Sequence, residues 1–295
     1  MLRAACLLSA LTAAAAAQPT PRTGLNHFYH VPDSATFAAI ESSRFLRDTL
    51  GVFEARTTRR SDQVYTGVYW YGQATYFEFL PPGPGNRKPG DSGMAWGTDA
   101  ADDSAMVRRA LSGIAGERVT STMITRGIDS VQVPWFLQTA LESGGRTREL
   151  NSWVMTYAGD FLTRWHGTLP PVTGGSSRSA VLERYAAKVG QLDRRRDAAF
   201  TDVTGLDLQV DAATRTRVLA ECRALGGMAR GSRCTLGDFA LRLNDATPTA
   251  RGLRRIVLRL RHPWSGPRVR TFGTSTLRLI DDATAEWEFG TVLAR

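Results

Sequence analysis

The chain has 295 residues, of which 42% are hydrophobic and 22% charged. That balance supports one large core or two moderate ones and excludes an extended disordered polymer. A net charge of +9 raises nucleic acid as a partner, but the cations are scattered. The densest groups, Arg194 to Arg196 and Arg254, Arg255, Arg259 and Arg261, lie at a predicted helix end and between the apolar residues of a predicted strand. No recognition motif accompanies them, so they read as a solvated basic face and nucleic acid is not an expected partner.

Residues 1–17 run from Arg3 through the apolar stretch Ala4 to Leu11 to the small residues Ala15 to Ala17. These are the three regions of a secretory signal peptide, with cleavage expected near Ala17. Cys6 has no apolar region ahead of it and does not read as a lipid-attachment site. No later apolar run reaches the roughly 20 residues of a membrane span. The expected location is periplasmic or secreted.

Three times a short apolar strand runs into aspartate and then a helix-like stretch: Leu25 to Val31 before Asp33, Met94 to Thr98 before Asp99 to Asp103, and Leu206 to Val210 before Asp211. Aspartate there can accept from the free amides of the first helical turn. In the first unit a helix bearing Phe37, Ile40 and Leu50 follows, then strand-like runs Phe53 to Arg59, Tyr65 to Tyr71 and Thr75 to Leu80. Pro81 to Gly93 then reads as a surface loop. The second unit repeats the order, with a helix from about Asp102 to Ile114 and strands Arg118 to Thr125, Val131 to Leu141 and Asn151 to Tyr157.

The Pro170, Pro171, Gly174 and Gly175 stretch breaks structure. After it, Ser177 or Ser179 caps a helix with Val181, Leu182, Tyr185, Val189 and Leu192 on one face, expected to act as a strut between two halves. The third unit begins near Val203 and carries Val218, Leu219, Cys222 and Leu225 on its helix. Three further strand-like runs, Leu253 to Leu260, Thr271 to Ile280 and Ala285 to Phe289, have no helix between them, so the fourth copy is incomplete or rebuilt. The expected fold class is α+β, built from repeated strand-helix-strand-strand-strand modules. Its domains are 18–168, a linker and strut helix over 169–200, and a degenerate C-terminal domain over 201–295. The segment 18–168 is expected to fold by itself.

Strand alternation sets His27 and Tyr29 opposite Phe28 and His30, and Tyr76, Glu78 and Leu80 opposite Phe77 and Phe79. If the phenylalanines lie under the helix, His27 and Glu78 point together into a concave side. The bland alternatives are a hydrogen-bonded strand histidine and a carboxylate paired with Arg56 or Arg126. By the same register the second unit offers Gly93, Ala95 and Gly97, with either Trp153, Met155 and Tyr157 or Ser152, Val154 and Thr156, and neither phase holds a carboxylate or imidazole. Tyr29, Tyr69, Tyr71, Tyr76 and Trp153 are the expected substrate-binding wall, while Trp70 and Trp96 read as core. His166 and His262 fall in expected loops. The motifs G-x-S-x-G, H-E-x-x-H, the phosphate loop and the Rossmann glycines are missing, which speaks against the enzymes that use them.

The segments LNH at Leu25 to His27 and TYFEF at Thr75 to Phe79 resemble the first-strand LDH and last-strand glutamate motifs of the vicinal oxygen chelate superfamily, the glyoxalase and bleomycin-resistance group. The resemblance covers about 25–160 well and 203–289 weakly. It implies βαβββ modules that close in pairs into a half-barrel, in an exported branch, with His27 and Glu78 as ligands of one divalent metal acting as Lewis acid on a small molecule. The rival reading is a binding or interaction module without metal. After signal removal Cys222 and Cys234 remain. An oxidising compartment permits one disulfide, with two buried thiols as the alternative; the faces that set Cys222 beside Leu225 and Cys234 beside Leu236 favour the pairing.

Overall fold

A computed structural model describes residues 20–100, 103–142, 150–165, 177–248 and 250–290. The signal-like segment, His166 and the Pro170 to Gly175 break lie outside the described residues.

The chain forms four modules in sequence. The first comprises β1 (Thr23–His30), α1 (Ser34–Glu41), β2 (Val52–Arg59), β3 (Val64–Tyr71) and β4 (Tyr76–Phe79). The second comprises β5 (Ser92–Thr98), α2 (Asp103–Ser112), β6 (Val119–Ile128), β7 (Val131–Leu141) and β8 (Asn151–Tyr157). Three helices follow, α3 (Gly159–Arg164), α4 (Arg178–Lys188) and α5 (Leu192–Asp197). The third module is β9 (Phe200–Val210), α6 (Ala212–Ala224), β10 (Met228–Arg230), β11 (Arg233–Leu236) and β12 (Phe239–Asp245). The fourth is β13 (Gly252–Leu260), β14 (Val269–Phe272), β15 (Ser275–Leu279) and β16 (Thr284–Glu288), with no helix after its first strand.

Local chemistry explains the repeat. Asp33 Oδ1 accepts from Thr36 N at 2.9 Å, Asp211 Oδ1 from Thr214 N at 2.7 Å and Ser177 Oγ from Ala180 N at 3.2 Å, each meeting an amide that the first helical turn leaves free. In the second module Asp99 serves another purpose and pairs with Arg178 at 2.9 Å. The expected run Thr271 to Ile280 is a hairpin, because Gly273 turns the chain at φ +58°.

Two eight-stranded sheets result, in the orders β2-β3-β4-β1-β5-β8-β7-β6 and β10-β11-β12-β9-β13-β16-β15-β14. The first strands of paired modules lie antiparallel at each centre; in the first three modules the first strand runs parallel to the last, whereas in the fourth β13 and β16 are antiparallel. The α+β class and its repeated modules are therefore as the sequence predicts. The first sheet curls until its outer strands meet at one corner, where Arg60 bridges Arg126 and Ser61 N donates to Thr125 O at 3.1 Å.

One face of this sheet, with Phe28, Trp70, Phe77, Met94 and Trp96, packs with α1, α2, α6 and the second sheet in a single core. The other face is concave, and α4 lies in it. Val181, Leu182, Tyr185 and Ala186 join Tyr71, Trp135, Phe161 and Trp165 there, so this face of the helix packs into the concave side of the first sheet. Arg178 anchors its start by donating to Leu25 O at 2.7 Å. A Cβ on Gly97 would lie 2.8 Å from the Arg178 side chain, which is why the neighbouring strand is bare there. The second sheet turns a charged face outward, where Arg255 bonds Asp207 at 2.6 Å and Glu286 at 2.7 Å.

Candidate functional site

Alternation along β1 and β4 delivers His27 and Glu78 to the part of the concave face that α4 leaves open. Their strands are neighbours, with His27 opposite Tyr76 and Tyr29 opposite Glu78 in register. The result is a cavity of about 440 Å³ whose lining includes both residues, the aromatic rings of Tyr29, Tyr65, Tyr76, Trp135, Phe136 and Trp153, and the polar side chains of Arg60, Arg87 and Asp91.

At its floor His27 Nε2 stands 3.7 Å from Glu78 Oε1, with both side chains about 6% exposed. His27 Nδ1 meets Asn26 Oδ1 at 2.8 Å, and the ring stacks on Tyr76 at 4.4 Å between centroids. Because the Asn26 oxygen can only accept, Nδ1 carries the proton and Nε2 is left as an acceptor. Burial, aided by the charges of Arg60 and Arg56, pushes the imidazole pKa down to about 3. Burial pushes Glu78 up to about 7 against the opposing pull of Arg56. Glu78 Oε2 is buried without a hydrogen-bond partner.

Neither bland pairing of Glu78 occurs. Arg56 is taken by Glu54 at 2.7 Å and lies 4.0 Å over the Tyr69 ring. Arg126 lies over Trp165 at 4.0 Å and Trp135 at 4.9 Å, with its Nη1 unpartnered.

Of the expected wall, Tyr29, Tyr76 and Trp153 line the cavity. Tyr69 and Tyr71 are on the same concave face but do not reach it: Tyr69 is covered by Arg56, and the Tyr71 hydroxyl bonds Glu54 and Arg56 beside Tyr185 of α4. Trp70 and Trp96 lie in the core. The cavity gains Tyr65, Arg60 and Arg87, which sequence reasoning left out. Tyr65 shares the parity of Tyr69 and Tyr71 on β3, so alternation could have found it. Trp135 and Phe136 arrive only because the sheet curls, and no local pattern signals that. Cys222 and Cys234 are joined as a disulfide, with Cα atoms 6.2 Å apart.

The donor set can be tested against a divalent metal. His27 and Glu78 are two donors, and among the described residues no cluster of three His, Cys, Asp or Glu could hold an ion. The second module presents Ala95, Trp153, Met155 and Tyr157 to this face, and two arginines already act on His27. A resident catalytic metal wants about three protein ligands, and these residues do not fit one.

Several known structures are similar to this chain. A hypothetical protein from Staphylococcus aureus is 11% identical with a TM-score of 0.46, covering 76% of this chain and 86% of its own. The Mn(II)-bound glyoxalase from Novosphingobium aromaticivorans is 12% identical with a TM-score of 0.43, covering 88% and 78%. A xylose isomerase-like TIM barrel/4-hydroxyphenylpyruvate dioxygenase fusion protein is 11% identical at 0.42, covering 78% of this chain and 33% of that one. At these scores no residue role passes from them to this chain. None of the curated proteins matches it. Residues 25–289 match the model described as Family of unknown function (DUF5829), and the chain belongs to that family.

Proposed function

We propose that this member of the DUF5829 family is an exported protein that holds a small organic molecule in the cavity above His27 and Glu78, without a resident metal. One observation carries the reading: a cavity of about 440 Å³ with aromatic walls, on whose floor a buried imidazole and a buried carboxyl stand 3.7 Å apart. Its size and its combination of aromatic rings with polar side chains such as Arg60, Arg87 and Asp91 are compatible with a small-molecule site. A fully buried carboxylate without a cationic partner is costly to keep for packing alone. Export is supported by the pattern of residues 1–17 and by the Cys222–Cys234 bond, since such bonds persist in oxidising compartments. No helix among the described residues is long and apolar enough to cross a membrane.

The test is a fragment panel on the full chain in EDTA, read by the indole resonances of Trp135 and Trp153. Fragments that shift both are the expected result. A panel that perturbs neither, or that does so only after Mn(II) is added, would overturn the reading.

A further inference from the structure

The polar part of the cavity lining gathers at one end of the first sheet. Strands β2 and β4 both run toward that end, and the segments that follow them bring Arg60, Gln63, Asn86, Arg87 and Asp91 to the lining. Gln63 and Asn86 are exposed, so this end is the mouth, while α4 fills the other end, where Tyr185 meets Tyr71. Two guanidiniums stand at the mouth with donors to spare. Arg60 holds Asp62 through Nε and Nη2 at 2.8 and 2.7 Å and lies 5.3 Å over the Phe136 ring, its side chain 9% exposed, so a positioned Nη1 remains. Arg87 gives Nε to Pro81 O at 3.3 Å and forms no ion pair among the described residues, which leaves both terminal nitrogens. None of these three nitrogens is sealed in the way that Arg126 Nη1 is, so they are open to a ligand at the mouth.

Charge sets the sign of that ligand. Arg56, Arg60 and Arg87 all act on Glu78, and Arg56 and Arg60 act on His27. Glu78 itself does not oppose them, since burial keeps its proton up to about pH 7. Asp62 is taken by Arg60, and one oxygen of Asp91 accepts from Lys88 N at 2.8 Å. A cation would therefore meet like charge at mouth and floor, and a neutral molecule would leave the Arg87 fork without a partner. A planar guanidinium fork matches a planar carboxylate, whereas a dianion would also press against Asp91. The rings of Tyr29, Tyr65 and Trp153 line the same space. Resting on the small-molecule reading above, we infer that the cavity takes an aromatic monocarboxylate, with its ring among Tyr29, Tyr65 and Trp153 and its carboxylate on Arg87, Arg60 Nη1 serving as a further donor.

The experiment titrates the full chain in EDTA with phenylacetate, phenylacetamide, phenethylammonium and phenylmalonate, following the Trp153 indole resonance. A pH of about 6 leaves a carboxylic acid ionised and Glu78 largely protonated. The four ligands share one ring and carry a single negative charge, none, a positive charge and two negative charges. We expect phenylacetate to bind and the amide and ammonium to bind at least roughly tenfold more weakly, the loss of a hydrogen bond between charged partners. Arg87→Gln, with folding verified by thermal unfolding, should bring phenylacetate down to the affinity of the amide and leave the amide where it was. Arg87→Lys, which keeps the charge and loses the fork, should fall between. Phenylacetamide binding as tightly as phenylacetate, tighter binding of phenethylammonium or phenylmalonate, phenylacetate unmoved in Arg87→Gln, or no binding by any of the four would overturn the inference. The small-molecule reading is judged separately, by the wider fragment panel, which is blind to charge.

Discussion

The behaviour of Glu78 follows from a single residue being held out of water. Its folded pKa of about 7 exceeds its ordinary value of 4.5, so the folded protein keeps a proton that the unfolded chain releases. The stability this group contributes is whole below about pH 4.5 and is lost as pH rises through about 7. Replacing it by the isosteric amide in Glu78→Gln removes the loss. The variant should therefore gain on the native protein by on the order of 3 kcal/mol across that interval and no more above it. Urea denaturation of both proteins at a series of pH values measures this, and parallel stability curves would contradict it. His27 and His30 act in the opposite direction: both are held near 3, so each costs stability as pH falls from about 6.5 toward 3. At this scale the sequence was readable where alternation decides, as for His27, Glu78 and Tyr76. It was not readable for Tyr69 and Tyr71, because which aromatic reaches the cavity depends on where Arg56 and Tyr185 lie.

Among elements, α4 shapes the site most. Tyr185 is 1% exposed and its hydroxyl accepts from Trp135 Nε1 at 3.0 Å, so one side chain both fills the concave face and fixes a wall of the cavity. Tyr185→Phe should cost about 1–2 kcal/mol by orphaning that indole. Tyr185→Ala should cost about 3–5 kcal/mol, as for other large buried aromatics, with the Trp135 resonance shifted in both. Stability unchanged in Tyr185→Ala would show that α4 does not pack as described. The amphipathic pattern and a serine cap at Ser177 or Ser179 were legible in the sequence, the structure choosing Ser177, but the surface that receives a helix face is not written in the helix. A second link ties α6 to β11 through Cys222 and Cys234. Replacing both with serine should cost roughly 3 kcal/mol for a loop of this size, and two free thiols in the denatured, unreduced protein would rule the bond out.

For the whole molecule, the two sheets share one core. Phe79 meets Trp287 at 5.1 Å, Phe77 meets Phe200 at 5.2 Å and Trp96 meets Phe239 at 5.9 Å. Asp202 accepts from Ala74 N and Thr75 N at 2.8 and 3.0 Å, and Thr274 N donates to Thr36 Oγ1 at 2.9 Å. The boundary over 169–200 therefore divides the chain in sequence, while residues on both sides of it complete one another. Calorimetry of the full chain should show a single transition, and fragment 18–168, which lacks both α4 and the second sheet, should expose Phe77 and Phe79 and lose fixed tertiary signal. Two separable transitions would contradict this. The modules themselves were legible because capping and strand runs are local signals; the shared core was not, since it joins strands more than a hundred residues apart.

The claim on which the rest depends is that the cavity above His27 and Glu78 receives a small molecule without a metal. It is tested most directly by a crystal structure of the protein, grown in EDTA and soaked with a fragment that binds in solution. We predict the fragment seated over His27 and Glu78 between Trp153 and Tyr65. A fragment bound instead on the charged face around Asp207 and Arg255, or ordered only when Mn(II) bridges His27 and Glu78, would contradict the account.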